Sequence, residues 1–196
     1  VPGDLDGDGR SELLISAPST DGPDADSGMV YLYRGADDGP DRIPSALVAD
    51  TGDGGAFERF GTAVAGVGDV DRDGFADFAV GTSGAGHGRA LLYLGGRERL
   101  GTTPAAVLGA VPAASAIDLA SRDLRDFAAA LTGAGDLDGD GYADLAVGAA
   151  GADNGGVFRG SVLIFRGGPA AFAAPLRLDD PDRGEHDQFG HTLGGT

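Results

Sequence analysis

The residues with the clearest chemical potential in this chain are acids that recur at alternate positions of three nine-residue stretches. Each stretch has acids at positions 1, 3, 5 and 9 and Gly at position 6, and the three begin at Asp4, Asp69 and Asp136. A hard cation such as Ca²⁺ requires six to eight oxygen ligands at about 2.3–2.6 Å. A tightly curled loop can point positions 1, 3 and 5 at one centre, while position 7 offers a backbone carbonyl and position 9 a further carboxylate. The spacing therefore predicts one cation-binding loop in each stretch.

The charge of these stretches supports the same interpretation. They hold twelve of the 31 acidic residues of the chain. Without a cation, four carboxylates in nine residues repel one another, whereas a divalent cation converts that repulsion into coordination. Ordinary Asx-rich turns are the competing interpretation, because Asp and Gly dominate turns in general. Such turns do not require three acids in phase in each of three stretches.

The flanks of the stretches exclude the other common calcium loops. A helix-flanked EF-hand loop requires Glu at position 12, where this chain has Ile15, Val80 and Val147. These three residues are typical of strands, so dockerin-like loops are excluded for the same reason. Thrombospondin-type calcium repeats require Cys, which the chain lacks, and the Gly-rich nonapeptide β-roll requires a much shorter period.

The elements that must position the loops recur with them. The stretches begin 65 and 67 residues apart, and a Phe followed by Gly or Ala recurs in the same phase at Phe60, Phe127 and Phe189. Short apolar runs bounded by Gly are typical of strands. For the second repeat we predict four strands, over residues 60–67, 78–80, 91–94 and 107–108. Four short antiparallel strands per repeat predict an all-β fold of β-propeller blades, and only residues 115–131 have room for a helical turn or two.

Composition narrows the possible partners. The chain has 37 Gly, no Lys, no Cys and a formal charge of −17. Phosphate would be repelled by such an acidic surface, so a nucleic-acid partner is not expected. No run of about 18 apolar residues is present, so no membrane span is expected. The absence of Cys excludes disulfide frameworks and thiolate zinc sites.

The order of a Phe-Gly pair, an acidic loop and two apolar runs resembles the FG-GAP repeat of integrin α-subunit propellers and their bacterial relatives. The resemblance implies three Ca²⁺ sites. The ligands of the first site would be Asp4, Asp6, Asp8, the carbonyl of Arg10 and Glu12. Those of the second would be Asp69, Asp71, Asp73, the carbonyl of Phe75 and Asp77, and those of the third would be Asp136, Asp138, Asp140, the carbonyl of Tyr142 and Asp144. Two departures are Glu12, where the family has Asp, and Ala128, where it has Gly.

The repeat boundaries predict an incomplete propeller. We place the repeats at approximately 1–59, 60–126 and 127–188, with 189–196 starting a next blade. Known propellers have about 4–8 blades, and the resemblance implies seven. Three repeats are too few to close a ring, so we expect a longer propeller, the alternative being a head-to-tail homodimer of six blades.

The direction of the strands predicts at which end of the blades each site lies. Because the acidic loops join the first and second strands, all three lie at one end of the blades, and the connections between blades lie at the other. We expect a protein or glycan ligand at that other end, and the resemblance to integrin propellers implies an extracellular or cell-surface adhesion role. The alternatives are an accessory domain of a secreted hydrolase or phospholipase, or a purely structural scaffold. No nucleophile motif accompanies His87, His186 and His191, so we do not expect an enzyme.

Overall fold

The computed structural model describes residues 3–21, 24–50, 58–83, 88–97, 101–109, 124–153, 159–169, 172, 174–182 and 187–195. This described part of the chain is built from β-strands, turns and loops and contains no α-helix. The strands are β1 (Leu13–Ala17), β2 (Met29–Tyr33), β3 (Gly35–Ala36), β4 (Gly39–Pro40), β5 (Ala46–Val48), β6 (Ala63–Gly68), β7 (Asp77–Thr82), β8 (Arg89–Tyr93), β9 (Ala106–Leu108), β10 (Arg125–Gly135), β11 (Asp144–Gly151), β12 (Ser161–Phe165) and β13 (Leu176–Asp179).

The strands form three consecutive antiparallel sheets, which we call blades one, two and three. Blade two has the order β6-β7-β8-β9 and blade three has the order β10-β11-β12-β13. Blade one contains β1-β2-β5, and the small hairpin β3–β4 follows its middle strand. The predicted all-β fold and the predicted blade of four antiparallel strands are thus confirmed. The number of blades in a closed ring, seven, stays a prediction.

The strand predictions for the second repeat differ from the structure mainly at the ends. The first strand begins at Ala63 and not at Phe60, because the chain turns at Gly61, which has φ of +89°. The predicted helical turn over residues 115–131 was wrong from residue 125 onward, where β10 pairs with β11. Residue 124, directly before β10, is described in a 3-10 conformation, and residues 115–123 lie outside the described residues.

The two central strands of blade two, β7 and β8, are buried on both faces, which explains their continuous apolar runs. Successive side chains of a strand point to opposite faces of the sheet. Along β8, Leu91 and Tyr93 pack in a cluster with blade one, whereas Ala90 and Leu92 pack in a cluster with blade three. A strand covered on both faces loses the alternation of polar and apolar residues, and β8 shows no such alternation.

The Phe of each Phe-Gly or Phe-Ala pair connects neighbouring blades. Phe60 is fully buried and its amide donates a hydrogen bond of 2.9 Å to the Ser27 carbonyl in blade one. The backbone approaches so closely that a Cβ added at Gly28 would lie 2.2 Å from the Phe60 carbonyl oxygen. Glycines at the equivalent positions of blades two and three, Gly88 and Gly160, face the next Phe in the same way. These glycines are therefore required by close packing between blades.

The outer faces of the first and third blades carry exposed apolar side chains. On blade one, Leu13, Ile15 and Leu47 are 37%, 46% and 53% exposed. On blade three, Leu176 and Leu178 of β13 are also exposed. By the 65-residue period, Leu13 and Ile15 correspond to Phe78 and Val80 of blade two, which are buried against blade one. The outer face of blade one thus has the pattern of a face that packs on another blade.

Candidate metal centre

The three acidic loops lie at the same end of the blades, as the strand order predicted. Loop two, residues 69–77, joins β6 to β7, and loop three, residues 136–144, joins β10 to β11. Loop one, residues 4–12, leads directly into β1, which is the counterpart of β7 and β11. We call this end of the blades the loop end and the other the opposite end.

Each loop brings three carboxylate groups together. The groups are formed by Asp4, Asp6 and Asp8 in loop one, by Asp69, Asp71 and Asp77 in loop two, and by Asp136, Asp138 and Asp144 in loop three. Within each group, one oxygen per residue lies within 4.8 Å of the others. Oxygens that surround one Ca²⁺ at about 2.4 Å are at most about 4.8 Å apart. Both the spacing and the all-oxygen donor set therefore fit a hard divalent cation.

The remaining acids of the loops lie outside these groups. At position 5, Asp73 and Asp140 accept hydrogen bonds from the amides of Phe75 and Tyr142, at 3.0 and 2.9 Å. At position 9 of loop one, Glu12 does not join the group that Asp8 joins. Loop one thus brings together the carboxylates at positions 1, 3 and 5, whereas loops two and three bring together those at positions 1, 3 and 9.

The position 1 carboxylate curls each loop around itself. In loop two, the Asp69 side chain accepts hydrogen bonds from the amides of Asp73 and Gly74 at 3.1 and 2.9 Å. Loops one and three repeat this arrangement around Asp4 and Asp136. Such side-chain to backbone bonds are the usual mechanism of Asx turns. They hold the loop curled, with positions 1 and 3 directed to one side.

The position 9 carboxylate fastens each loop to the sheet. Asp77 is fully buried and accepts hydrogen bonds from the amides of Val70 and Gly95, both at 2.8 Å. Asp144 is equally buried and accepts from Leu137 and Gly167 at 2.8 and 3.0 Å. Because Gly95 and Gly167 follow the third strand of their blades, one side chain connects the loop with two strands.

Glu12 occupies the same place with a longer side chain. Its Oε2 accepts a hydrogen bond of 2.5 Å from the Leu5 amide, and the residue is 1% exposed. Its Oε1 is buried and has no hydrogen-bond partner among the described residues. The backbone amide of Gly35, the counterpart of Gly95 and Gly167, lowers the pKa of Glu12, although its contact with Oε1 falls short of a normal hydrogen bond.

The FG-GAP repeat family matches residues 1–33, 60–97 and 127–165, which include all three loops. The chain belongs to the FG-GAP repeat family. Human integrin alpha-IIb is 38% identical over 82% of the chain, and human integrin alpha-8 is 32% identical over 84%. Integrin alpha-PS2 of Drosophila melanogaster is 34% identical over 89%. The chain spans only about 15% of the length of these relatives.

The raised pKa values of three loop acids show that the FG-GAP loops lack a compensating positive charge. Burial is the main cause that raises the pKa of Asp77 to about 7; the charges of Asp71 and Asp73 contribute to the rise, and hydrogen bonds from two backbone amides oppose it. Burial and the charge of Asp73 also raise the pKa of Asp71. Burial is the main cause of the raised pKa of Glu12. These carboxylates are thus held where ionisation is unfavourable unless a positive charge compensates it.

The sequence interpretation missed two arginines that contact the loops. Arg34 Nε lies 2.9 Å from an Asp6 oxygen, and Arg166 Nη1 lies 3.2 Å from an Asp138 oxygen. Arg34 directly follows β2 and Arg166 directly follows β12, each just before a Gly, and FG-GAP repeat two has Leu94 at the same position after β8. The occurrence of Arg at the same position of repeats one and three was the sequence signal that could have indicated these contacts.

Neighbouring FG-GAP loops are also joined through the backbone. The Ala76 amide of loop two donates a 3.0 Å hydrogen bond to the Asp4 carbonyl of loop one, and Ala143 repeats this contact to Asp69. The Gly96 amide donates to the Leu5 carbonyl at 2.8 Å. The position 1 residue of one loop is therefore fixed by a residue next to position 9 of the following loop.

Of the three histidines, His191 is the one that lies among the described residues, and it joins none of the three carboxylate groups. His87 and His186 lie outside the described residues. His191 is exposed, and its ring lies 3.4 Å from the Thr192 hydroxyl. In the part of the chain that the structure describes, no helix has the length and apolar character of a membrane span.

Proposed function

We propose that this chain is a non-catalytic, calcium-binding propeller segment of an extracellular or cell-surface interaction protein. The observation that carries the proposal is the threefold grouping of carboxylate oxygens within 4.8 Å of one another. Three such groups at the same repeat position, each on a loop curled by its own position 1 acid, are the donor sets that Ca²⁺ prefers.

The proposed ligands are those that the family resemblance implies. They are the side chains of Asp4, Asp6, Asp8, Glu12, Asp69, Asp71, Asp73, Asp77, Asp136, Asp138, Asp140 and Asp144 and the carbonyls of Arg10, Phe75 and Tyr142. Bound Ca²⁺ would supply the positive charge that each set of four acids lacks. The residues themselves curl the loop and fasten it to the sheet, so that binding locks the hairpin between the first two strands of a blade.

The interaction role is supported by the relatives, which are integrin alpha subunits. In our proposal a protein or glycan ligand binds at the opposite end, where the connections between blades lie. Further blades would pack on the exposed apolar side chains of blades one and three, and the repeats keep the proposed bounds 1–59, 60–126 and 127–188. Self-association of the chain through these faces is the alternative.

Calcium titration of the 196-residue chain by calorimetry tests the metal sites. We expect a stoichiometry of three, falling to two in Asp71→Ala and in Asp138→Ala. Asp41→Ala, which removes an exposed acid outside the loops, is the control and should retain three. A stoichiometry that is the same in all four proteins would refute the assignment of these ligands, and no binding in any of them would refute the calcium function.

A further inference from the structure

Two of the three loops have an arginine within reach of their position 3 acid. Arg34 pairs with Asp6 in loop one, and Arg166 pairs with Asp138 in loop three. Both guanidinium groups are about half exposed, with side chains 47% and 51% accessible. They extend from the same repeat position, which is the residue directly after β2 in blade one and directly after β12 in blade three. The recurrence makes the pair a built feature of these two repeats.

Loop two has no such cation. The corresponding residue is Leu94, which is partly buried and packs against the cluster between blades two and three. Within the described residues, no acid of loop two forms a salt bridge with an arginine. Arg72, the arginine inside loop two, reaches away to loop three, where it lies 5.2 Å from the centre of the Tyr142 ring.

The loops therefore carry equal numbers of acids but unequal compensation. Each has four carboxylates, yet loops one and three each have an arginine on the acid at position 3. A divalent ion and a guanidinium that share one carboxylate lie roughly 6 Å apart, and at the dielectric constant of water their repulsion corresponds to about a tenfold loss of affinity.

We infer that Arg34 and Arg166 weaken cation binding to loops one and three, and that loop two, with Leu94, is the tightest calcium site of the chain. The inference rests on the proposed calcium function and adds an order of filling to it. As calcium rises, loop two fills first, at the middle of the segment. Loops one and three fill at concentrations about tenfold higher, so the segment responds to calcium in two steps.

Calorimetric calcium titrations of single variants test this order. The wild type should show one tight and two weaker sites, and Asp71→Ala should lose the tight one. Arg34→Leu and Arg166→Leu should each tighten one weaker site about tenfold, and this gain should shrink in high salt because exposed charges are screened. Leu94→Arg should weaken the tight site about tenfold, while Leu94→Gln, which adds polarity without charge, should not.

Arg177→Leu is the matched control, because Arg177 pairs with Asp179 on β13 and not with a loop acid. It should leave all three affinities unchanged. Since Arg34 and Arg166 are exposed, their variants keep the test valid even where Leu94→Arg does not fold. Three equal affinities, or no change in the Arg34 and Arg166 variants, would overturn this inference while the calcium function stands. Absence of calcium binding in every protein would instead overturn the function itself.

Discussion

At the scale of single residues, the acid at position 9 differs from the other acids of its loop. Asp77 is fully buried and accepts hydrogen bonds from the buried amide of Val70 and the half-buried amide of Gly95. Asp73 is exposed and accepts one local hydrogen bond, from Phe75. The two acids therefore contribute differently to folding even before any cation binds.

We expect Asp77→Ala to lower the free energy of unfolding by about 2–3 kcal/mol in calcium-free buffer, because it leaves the buried Val70 amide and the half-buried Gly95 amide without an acceptor. Asp73→Ala should cost at most about 1 kcal/mol under the same conditions. Urea unfolding followed by circular dichroism measures both. Equal losses in the two variants would contradict the structural role of position 9.

The raised pKa of Asp77 predicts opposite pH dependences with and without calcium. In the metal-free protein, Asp77 keeps its proton in the folded state up to about pH 7, whereas in the unfolded state the carboxyl ionises near its usual pKa. The Asp77 contribution to stability is therefore fully present below about pH 4 and is lost as pH rises toward 7. With Ca²⁺ bound, the carboxylate is required, so acidification should release the ion and destabilise the protein.

Thermal unfolding at pH 5.5 and 7.5, in calcium-stripped and in calcium-saturated buffer, measures this difference. Asp71 and Glu12, whose pKa values are also raised, should act in the same direction. Asp77→Asn removes one ionising group and should reduce the pH dependence in stripped buffer. An unchanged pH dependence in Asp77→Asn would show that Asp77 does not titrate in this range.

At the scale of elements, the sequence predicted the loops and strands because both depend on local patterns. Gly at position 6 and alternating acids predict a curled loop, and Gly-bounded apolar runs predict short strands. The start of β10 was misjudged because residues 125–131 are rich in Ala and Leu, which favour a helix, whereas pairing with β11 makes them a strand. Tertiary pairing overrode local propensity there.

Other features depend on contacts between distant residues and have no local signal. The partners of Asp6 and Asp138 lie 28 residues away along the chain, so a single loop does not indicate them. Gly28 is required by the backbone of a Phe in the next blade, and its own neighbours in sequence do not predict that. Comparison of equivalent positions between repeats was the only route to such features from sequence.

The start of the first strand offers a test of repeat geometry. Gly61 and Gly190 have φ of +89° and +87°, and Ala128, at the same repeat position, has φ of +62°. A left-handed conformation costs an Ala about 1–2 kcal/mol relative to its preferred regions, a cost that Gly avoids.

We expect Ala128→Gly to raise the free energy of unfolding by about 0.5–1 kcal/mol, because relief of this strain exceeds the greater entropy of unfolded Gly. Gly61→Ala is the reverse exchange and should destabilise, since its Cβ would lie 2.9 Å from that of Ser16. Chemical denaturation measures both. A loss of stability in Ala128→Gly would contradict the strain that the backbone angle indicates.

At the scale of the whole molecule, charge as well as apolar packing holds neighbouring blades together at the opposite end. Arg89 of β8 pairs with Asp50, which follows β5 of blade one, and with Glu58, which precedes Phe60. The three side chains are only 16%, 5% and 18% exposed. One guanidinium of blade two thus holds both described ends of the connection from blade one.

Removal of one partner from a buried ion pair is strongly destabilising because it leaves uncompensated charge. We therefore expect Arg89→Met to lower the free energy of unfolding by about 3–5 kcal/mol. Arg177→Met, at the more exposed pair with Asp179, should cost less than about 1 kcal/mol. Equal effects of the two substitutions on unfolding in urea would contradict the importance of the Arg89 cluster.

The two sets of contacts between blades have a mechanical consequence. At the loop end, the amides of Ala76 and Gly96 donate hydrogen bonds to carbonyls of loop one, so the rigidity of these contacts depends on the order of that loop. At the other, Phe60 is fixed by backbone packing that involves no proposed ligand. Withdrawal of calcium should therefore make the contacts between blades more flexible at the loop end and leave those at the opposite end rigid. The blades would then separate at the loop end while they stay in contact at the Phe residues. Calcium would then control how easily neighbouring blades bend apart, and only in the direction that opens the loop end.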